Sequence, residues 1–344
     1  VTMSALDKAP NFEQEVDLNA LVAKLEQAPQ AAAFKVLDKT NSSPLIDVNF
    51  LFNTGAAADP QGKKGLGALT AAMLAQGGSQ STSYKDIKQA LYPLAGSFGY
   101  QIDKEMLSFQ GRIHKDNAAK WYALVSDQLL NPGFREDDFK RLKKELIDGI
   151  KSGLKASNDE ELGKEVLYSA LYKGHPYESY NYGDISDLEA LTLDDVKTFY
   201  NTELTQSKLT LGLIGAVPEK LKATMLADLA GLPKGEQSRL SIPDAPELKG
   251  HHATIVEKSA QSTAVSFGFP IDTIRSSEDW TALWLVRSYF GEHRSSNSFL
   301  YERIRETRGM NYGDYAYIEY FPRGMFQTKP DANLGRSSQI FQVW

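Results

Sequence analysis

The sequence predicts an α+β fold made of two homologous repeats of one plan, the second stopping about halfway. Three observations carry this. Some segments alternate apolar and polar residues with the period of two that marks a half-buried strand, while others space apolar residues at three and four, the mark of a helix on a core. From 232 to 250 the chain reads LPKGEQSRLSIPDAPELKG, the proline-, glycine- and serine-rich composition of a linker. Beyond it the earlier order of elements begins again.

Residues 44–55, PLIDVNFLFNTG, place Ile46, Val48, Phe50 and Phe52 on one face and predict a strand. A polar turn with Asp59, Pro60 and Gly62 follows. GLGALTAAMLAQGG then carries no charge from Gly65 to Ala75 and reads as a buried helix stopped by Gly77 and Gly78. A short helix at YKDIKQALYPL leads to two strands, FGYQID and LSFQGRIH. From 134 to 154, Phe139, Leu142, Leu146, Ile150 and Leu154 recur at helical spacing with Lys and Glu between them, predicting a long amphipathic helix. Helices are expected near 159–171 and 193–203, then a strand at KLTLGLIGAV and a helix over 218–230.

After the linker, STAVSFGFP corresponds to the first strand, the loop at 271–278 to the turn, and DWTALWLVRSYFG to the buried helix, terminal glycine included. A second short helix, SFLYERIRETRG, leads to the strand YGDYAYIEY as YKDIKQALYPLAGS leads to FGYQID. The plan divides the chain into an N-terminal extension at 1–33, a first domain at 34–231, a linker at 232–252 and the first half of a second domain at 253–344. The apolar run at 341–344 reads as a strand whose edge is left unpaired, as in a fragment.

With 344 residues, 42% of them hydrophobic and only 14 prolines, the chain can bury a sizeable core and form two domains. The formal net charge of -6 comes from interspersed charges, so no basic footprint for nucleic acid or an anionic membrane is present. The absence of cysteine excludes disulfides, thiol catalysis and thiolate metal sites, and leaves the compartment open. No segment approaches the roughly 20 apolar residues of a membrane span. Residues 1–10 lack the basic and apolar stretches of a secretion signal, so the chain reads as soluble, as would an exported protein that has shed its leader. Neither G-x-S-x-G nor a Walker A loop occurs, which leaves an unrelated active site without a motif.

The uncharged helix carries a resemblance. Asn53-Thr54-Gly55, Asp59-Pro60, Gly65-Leu66 and Met73-Leu74 are similar to the surroundings of the H-x-x-E-H helix of pitrilysin/insulinase-type zinc peptidases. In that family two histidines four residues apart bind zinc, and the glutamate activates the metal-bound water. The resemblance sets Ala68, Leu69, Thr70, Ala71 and Ala72 at the motif, so alanine replaces both histidines and the glutamate. The family's further glutamate ligand falls around Glu145 and Asp148. His114, His175, His251, His252 and His293 contain no i,i+4 pair to substitute, and each reads as solvated or structural. The resemblance implies that this chain holds no metal or other cofactor. For the fold it implies α/β sandwiches, each a mainly antiparallel sheet covered by helices.

A second resemblance lies at Ile304-Arg305-Glu306-Thr307-Arg308-Gly309-Met310-Asn311-Tyr312, which resembles the family's L-R-x-x-x-G-x-x-Y. The family's arginine and tyrosine hold the substrate backbone and the developing oxyanion across the cavity from zinc, and Arg305 and Tyr312 match them at the same separation. Gly309 suits a left-handed helix end that brings Tyr312 back beside Arg305, so that guanidinium and phenol both donate to one carbonyl oxygen. The competing reading has Arg305 capping helix carbonyls or pairing with Glu302 or Glu306, with Tyr312 a plain sheet residue. Arg308 is the alternative arginine. Tyr312, Tyr315, Tyr317, Tyr320 and Phe321 either line a peptide cavity or form half-buried sheet, the commoner use of such a run.

Bacterial members of the family form clam-like dimers in which one chain brings H-x-x-E-H and the other the arginine and tyrosine. The resemblance therefore implies a non-catalytic subunit of a heterodimeric zinc peptidase. Its partner would be a zinc-bearing subunit of the same family, and its substrate an unfolded peptide. A peptide-binding or structural protein of this fold without a catalytic partner is the alternative. The export of related bacterial proteins implies a periplasmic location.

Overall fold

The computed structural model of the protein describes residues 33–236, 239–260, 262–292, 295–311, 313–321 and 335–344. His293, Tyr312 and nearly all of the expected N-terminal extension lie outside these residues.

The first unit is built on five strands, β1 (Lys35–Thr40), β2 (Leu45–Phe52), β3 (Ser97–Ile102), β4 (Leu107–His114) and β5 (Leu209–Gly215), in the order β1-β5-β2-β4-β3. β1 and β5 are parallel and the other neighbours antiparallel. On β2 the alternation holds, with Ile46, Val48, Phe50 and Phe52 all buried. Phe50 lies opposite Phe109 on one neighbour and Leu211 on the other, which fixes the register by burying one continuous apolar layer.

Helices cover that layer. They are α1 (Leu66–Gln76), α2 (Tyr84–Leu91), α3 (Ala118–Leu130), α4 (Glu136–Asp148), α5 (Asp159–Leu171), α6 (Ile185–Ala190), α7 (Leu193–Glu203) and α8 (Glu219–Leu229). α1 packs on β3 and against α3, α4 and α7, and every residue from Leu66 to Ala75 is buried. A helix with no polar face is stable in water only when enclosed in this way. The amphipathic stripe expected over 134–154 is kept, with Phe139, Leu142, Ile150 and Leu154 buried. The helix itself begins later, because Phe134 adopts φ of 43° and Arg135 is extended. After Asp148 it widens into a π-helical stretch, Gly149–Ala156. β1, α3 and α6 are additions to the expected elements.

The second unit contains β6 (Phe267–Ile271), α9 (Trp280–Gly291), β7 (Ala316–Tyr317) and β8 (Gln339–Val343), with antiparallel strands in the order β6-β8-β7. This repeats the order β2-β4-β3 of the first unit, and α9 takes the place of α1. Its environment differs, since Leu285 is 68% and Tyr289 63% exposed on α9. Three expectations are corrected here. The run at 341–344 belongs to the central strand, with Phe341 opposite Phe269 and Val343 opposite Ala316, so it has no unpaired edge. The strand expected over 312–320 shortens to β7, because Glu319 turns inward to Arg275 (2.8 Å) and the Trp280 indole (3.0 Å). The helix expected at 298–309 is centred on a π-helical turn, Tyr301–Glu306.

Candidate functional site

The motif helix is positioned from its N-terminus. Gly65 precedes α1 with φ of 98°, and a Cβ there would come within 2.8 Å of the Tyr182 carbonyl oxygen, so only glycine is accommodated. The Asp59 carboxylate accepts the Gly65 and Gly67 backbone N–H groups, both at 2.7 Å, and satisfies two of the donors a helix start leaves open. Burial pushes the Asp59 carboxyl up to about 7 against those donors. The polar turn that sequence places before the helix is thus its clamp.

Ala68, Ala71 and Ala72 are 0%, 0% and 2% exposed and belong to the first unit's core. Zinc does not fit this place. A methyl group offers no lone pair, and close packing leaves the positions without ligand-sized space. Glu145 and Asp148 lie on the outer side of α4, half exposed, where they pair with Arg141 (3.1 Å) and Lys144. The histidines stay apart. His175 is buried and bonded to the Pro243 carbonyl (3.0 Å), His114 lies beside Asp116, His252 meets the Lys249 carbonyl, and His251 is exposed. Among the described residues no three of His, Cys, Asp and Glu are grouped to hold a metal.

Arg305 is half-buried on the π-helical turn, and Gly309 follows it in the left-handed region at φ of 64°. The turn is closed by Gly309 N–H to the Arg305 carbonyl (2.8 Å) and Met310 N–H to the Ile304 carbonyl (3.2 Å). Arg308 is exposed and donates to the Arg303 carbonyl (3.2 Å). Tyr312 lies outside the described residues, and its relation to Arg305 carries no geometry here. Of the other aromatic residues, Tyr315 and Tyr317 pack on Trp344, and Phe321 packs on Tyr317. Tyr320 lines a cavity.

That cavity, about 320 Å³, lies at the junction of the two units. Its wall includes Gln101 of β3, Gly149 and Gly153 of the π-helical stretch, Glu161 of α5, Tyr180, Asn181 and Tyr182, and Tyr320 of the second unit. Behind it is a buried charge cluster that sequence reading missed. Arg336 grips Asp103 through both nitrogens of its fork, Nε at 2.8 Å, with both side chains essentially unexposed. Its guanidinium lies 3.8 Å from the Tyr320 ring centroid. Burial pushes the Asp103 carboxyl up, but the Arg336 charge outweighs burial and holds it below the usual carboxylate range. Lys104 is buried against the Ser179 carbonyl, and burial together with Arg336 lowers its ammonium to about 8. The local sequence signal was only Asp103-Lys104-Glu105 between two strands, which reads as an exposed hairpin turn. A larger groove of about 1190 Å³ lies elsewhere, between α3 and α8.

Comparison with known proteins agrees with this architecture. Residues 35–184 match the insulinase family, peptidase family M16, and residues 190–329 match the peptidase M16 inactive domain. An uncharacterized zinc protease of Rickettsia bellii is 23% identical over 283 residues, 82% of this chain and 66% of that protein. A non-peptidase homolog of Helicobacter pylori, YmxG, is 21% identical over 319 residues, 91% of this chain and 72% of that one. The chain thus spans about two thirds of the length of such relatives. The crystal structure of a peptidase M16 inactive domain from Pseudomonas fluorescens superposes with a TM-score of 0.74 at 23% identity, covering 91% of this chain and 72% of its own. The chain belongs to the insulinase-type peptidase family M16.

Proposed function

We propose that this protein is the non-catalytic subunit of a two-chain zinc peptidase and lends Arg305 and Tyr312 to the active site of a zinc-bearing partner of the same family. The observation that carries this is the pairing of loss and retention: alanine buried at 68, 71 and 72, with the arginine–glycine–tyrosine spacing kept in the second unit. The half-buried Arg305 before a left-handed Gly309 is consistent with a residue held for a partner's substrate. In this role Arg305 and Tyr312 would donate to the substrate carbonyl as charge develops on it, while zinc and its water remain the partner's. The substrate would be an unfolded peptide.

Reconstitution tests the proposal. The chain alone should leave unfolded peptides intact, and addition of the partner recovered from the native cell should give chelator-sensitive cleavage. Arg305→Ala with Tyr312→Phe should lower kcat of the pair by about 10²–10³, the usual effect of removing oxyanion donors. Unchanged turnover in that double variant, or zinc-dependent cleavage by the chain alone, would overturn the assignment. A second reading, a peptide-binding or structural protein without a catalytic partner, draws support from the non-peptidase homolog of Helicobacter pylori. Failure of any zinc-bearing family member to co-purify would favour it. Fractionation of the native cell tests the companion proposal of a periplasmic location.

A further inference from the structure

We infer that the groove between α3 and α8 is the docking site of this chain's own N-terminal segment, residues 17–28, seated there as an amphipathic helix. The inference rests on the groove and the sequence and does not require the proposed partner. The groove encloses about 1190 Å³. Its buried lining is apolar, Tyr122, Leu221 and Leu232, and the exposed lining around these includes the short side chains of Ala119, Ala123 and Thr224. A trough of this kind between two helices suits the apolar face of a third.

The sequence supplies that face. Residues 17–28 read DLNALVAKLEQA, in which Leu18, Leu21, Val22 and Leu25 recur at steps of three and four. Asp17 is a residue type that caps a helix start, and Pro29 stops the pattern. A helix this short is marginal in water by itself, so the segment needs a surface on which to bury its stripe. From Leu18 to Ala28 such a helix is about 16 Å long. α3 borders the groove over nearly the same number of residues, from Ala119 to Leu130.

Connection and charge set its direction. α3 and α8 both start where β4 and β5 leave the sheet, and Lys115, Asp116 and Lys220 line that end of the groove. Asp127, Asp228, Leu232 and Pro233 line the other end. Gln206 donates to the Pro233 carbonyl from its backbone (2.8 Å) and to the Leu232 carbonyl from its side chain (2.6 Å), three residues before β5 begins. β1 runs parallel to β5 with Lys35 opposite Thr210, so the chain enters β1 beside this acidic end. Adjacent strands lie about 4.8 Å apart, and residues 29–33 reach at most roughly 17 Å, enough to set Ala28 there. Glu13, Glu15 and Asp17 then fall at the lysine end. Lys24, the only cation from Asn11 to Ala28, falls at the aspartate end, with Glu26 on the opposite flank of the stripe. The short tether also supplies a local concentration on the order of millimolar, which favours the chain's own segment over that of a second copy.

The chain contains no cysteine, so a pair introduced into the full chain reports one contact. With the segment parallel to α3, Val22 comes over Ala123. Val22→Cys with Ala123→Cys should therefore form an intramolecular disulfide under mild oxidation, read by mass and gel mobility. Ala20 falls on the far side of the same helix, so Ala20→Cys with Ala123→Cys should form none. Ala119 is exposed, so Ala119→Trp leaves the core intact while filling the groove. Added to the Val22→Cys, Ala123→Cys pair, it should abolish the disulfide. A disulfide joining two chains would seat the segment in a second copy and overturn the inference. So would absence of the disulfide, equal yield from the Ala20 pair, or undiminished yield with Ala119→Trp.

Discussion

Restoring the zinc motif by Ala68→His, Ala71→Glu and Ala72→His should break the protein rather than revive it. The three positions are 0%, 0% and 2% exposed, on a helix enclosed by β3, α3, α4 and α7. Forcing a larger side chain into a close-packed core costs about 1–3 kcal/mol at each site. All three therefore cost about 3–9 kcal/mol, a large share of the roughly 5–15 kcal/mol that holds a domain together. Neither Glu145 nor Asp148 stands ready to repay this by completing a metal site, since both are turned outward, onto Arg141 and Lys144. Urea unfolding followed by tryptophan fluorescence, with zinc content by mass spectrometry, decides the matter. Ala68→His alone should lower stability by about 1–3 kcal/mol. The triple variant should lose its cooperative transition and hold no stoichiometric zinc. A triple variant that unfolded cooperatively near the parent midpoint and retained one zinc would refute the account of a closed core at these positions.

Three further outcomes are expected. Asp59 has its carboxyl raised to about 7 in the folded chain, so the native state keeps a proton that the unfolded state releases. Its contribution is greatest below pH 4 and is lost as pH rises towards 7, at most roughly 4 kcal/mol, and Asp59→Asn should remove that slope from the stability–pH curve. Arg336→Ala leaves Asp103 buried without its countercharge and should cost about 3–5 kcal/mol, whereas Arg336→Met with Asp103→Leu should cost much less, as a double-mutant cycle would record. Gly309→Ala places a side chain at φ of 64° and should cost about 1 kcal/mol in thermal unfolding, with no steric clash because a Cβ there has no neighbour within 4 Å.

Much of the fold was legible because burial imposes its period on the chain. Ile46, Val48, Phe50 and Phe52 announce β2 by alternation, and the uncharged run from Gly65 announces a wholly buried helix. α3 was equally available, since Ala118, Trp121, Tyr122, Val125 and Leu129 recur at helical spacing and are buried. β1 was harder to see. KVLDKT is an edge strand with little burial, so solvent exposure erases its pattern. The strand at 312–320 was overestimated because β-forming residues continue past the point where Glu319 leaves the sheet for Arg275.

Sequence alone determined the chemistry that is absent: alanine at 68, 71 and 72 has no donor atom wherever the chain folds. It also determined the spacing of Arg305, Gly309 and Tyr312, a property of covalent order. Tertiary structure decided what no local pattern could hold. It set Asp59 on the start of α1, brought Arg336 to Asp103 across more than two hundred residues of chain, and set Asn181 against the same carboxylate. The physical reason is that each of these depends on burial and on a partner far away in sequence. Asp103, Lys104 and Glu105 look like an ordinary charged turn until the second unit closes over them.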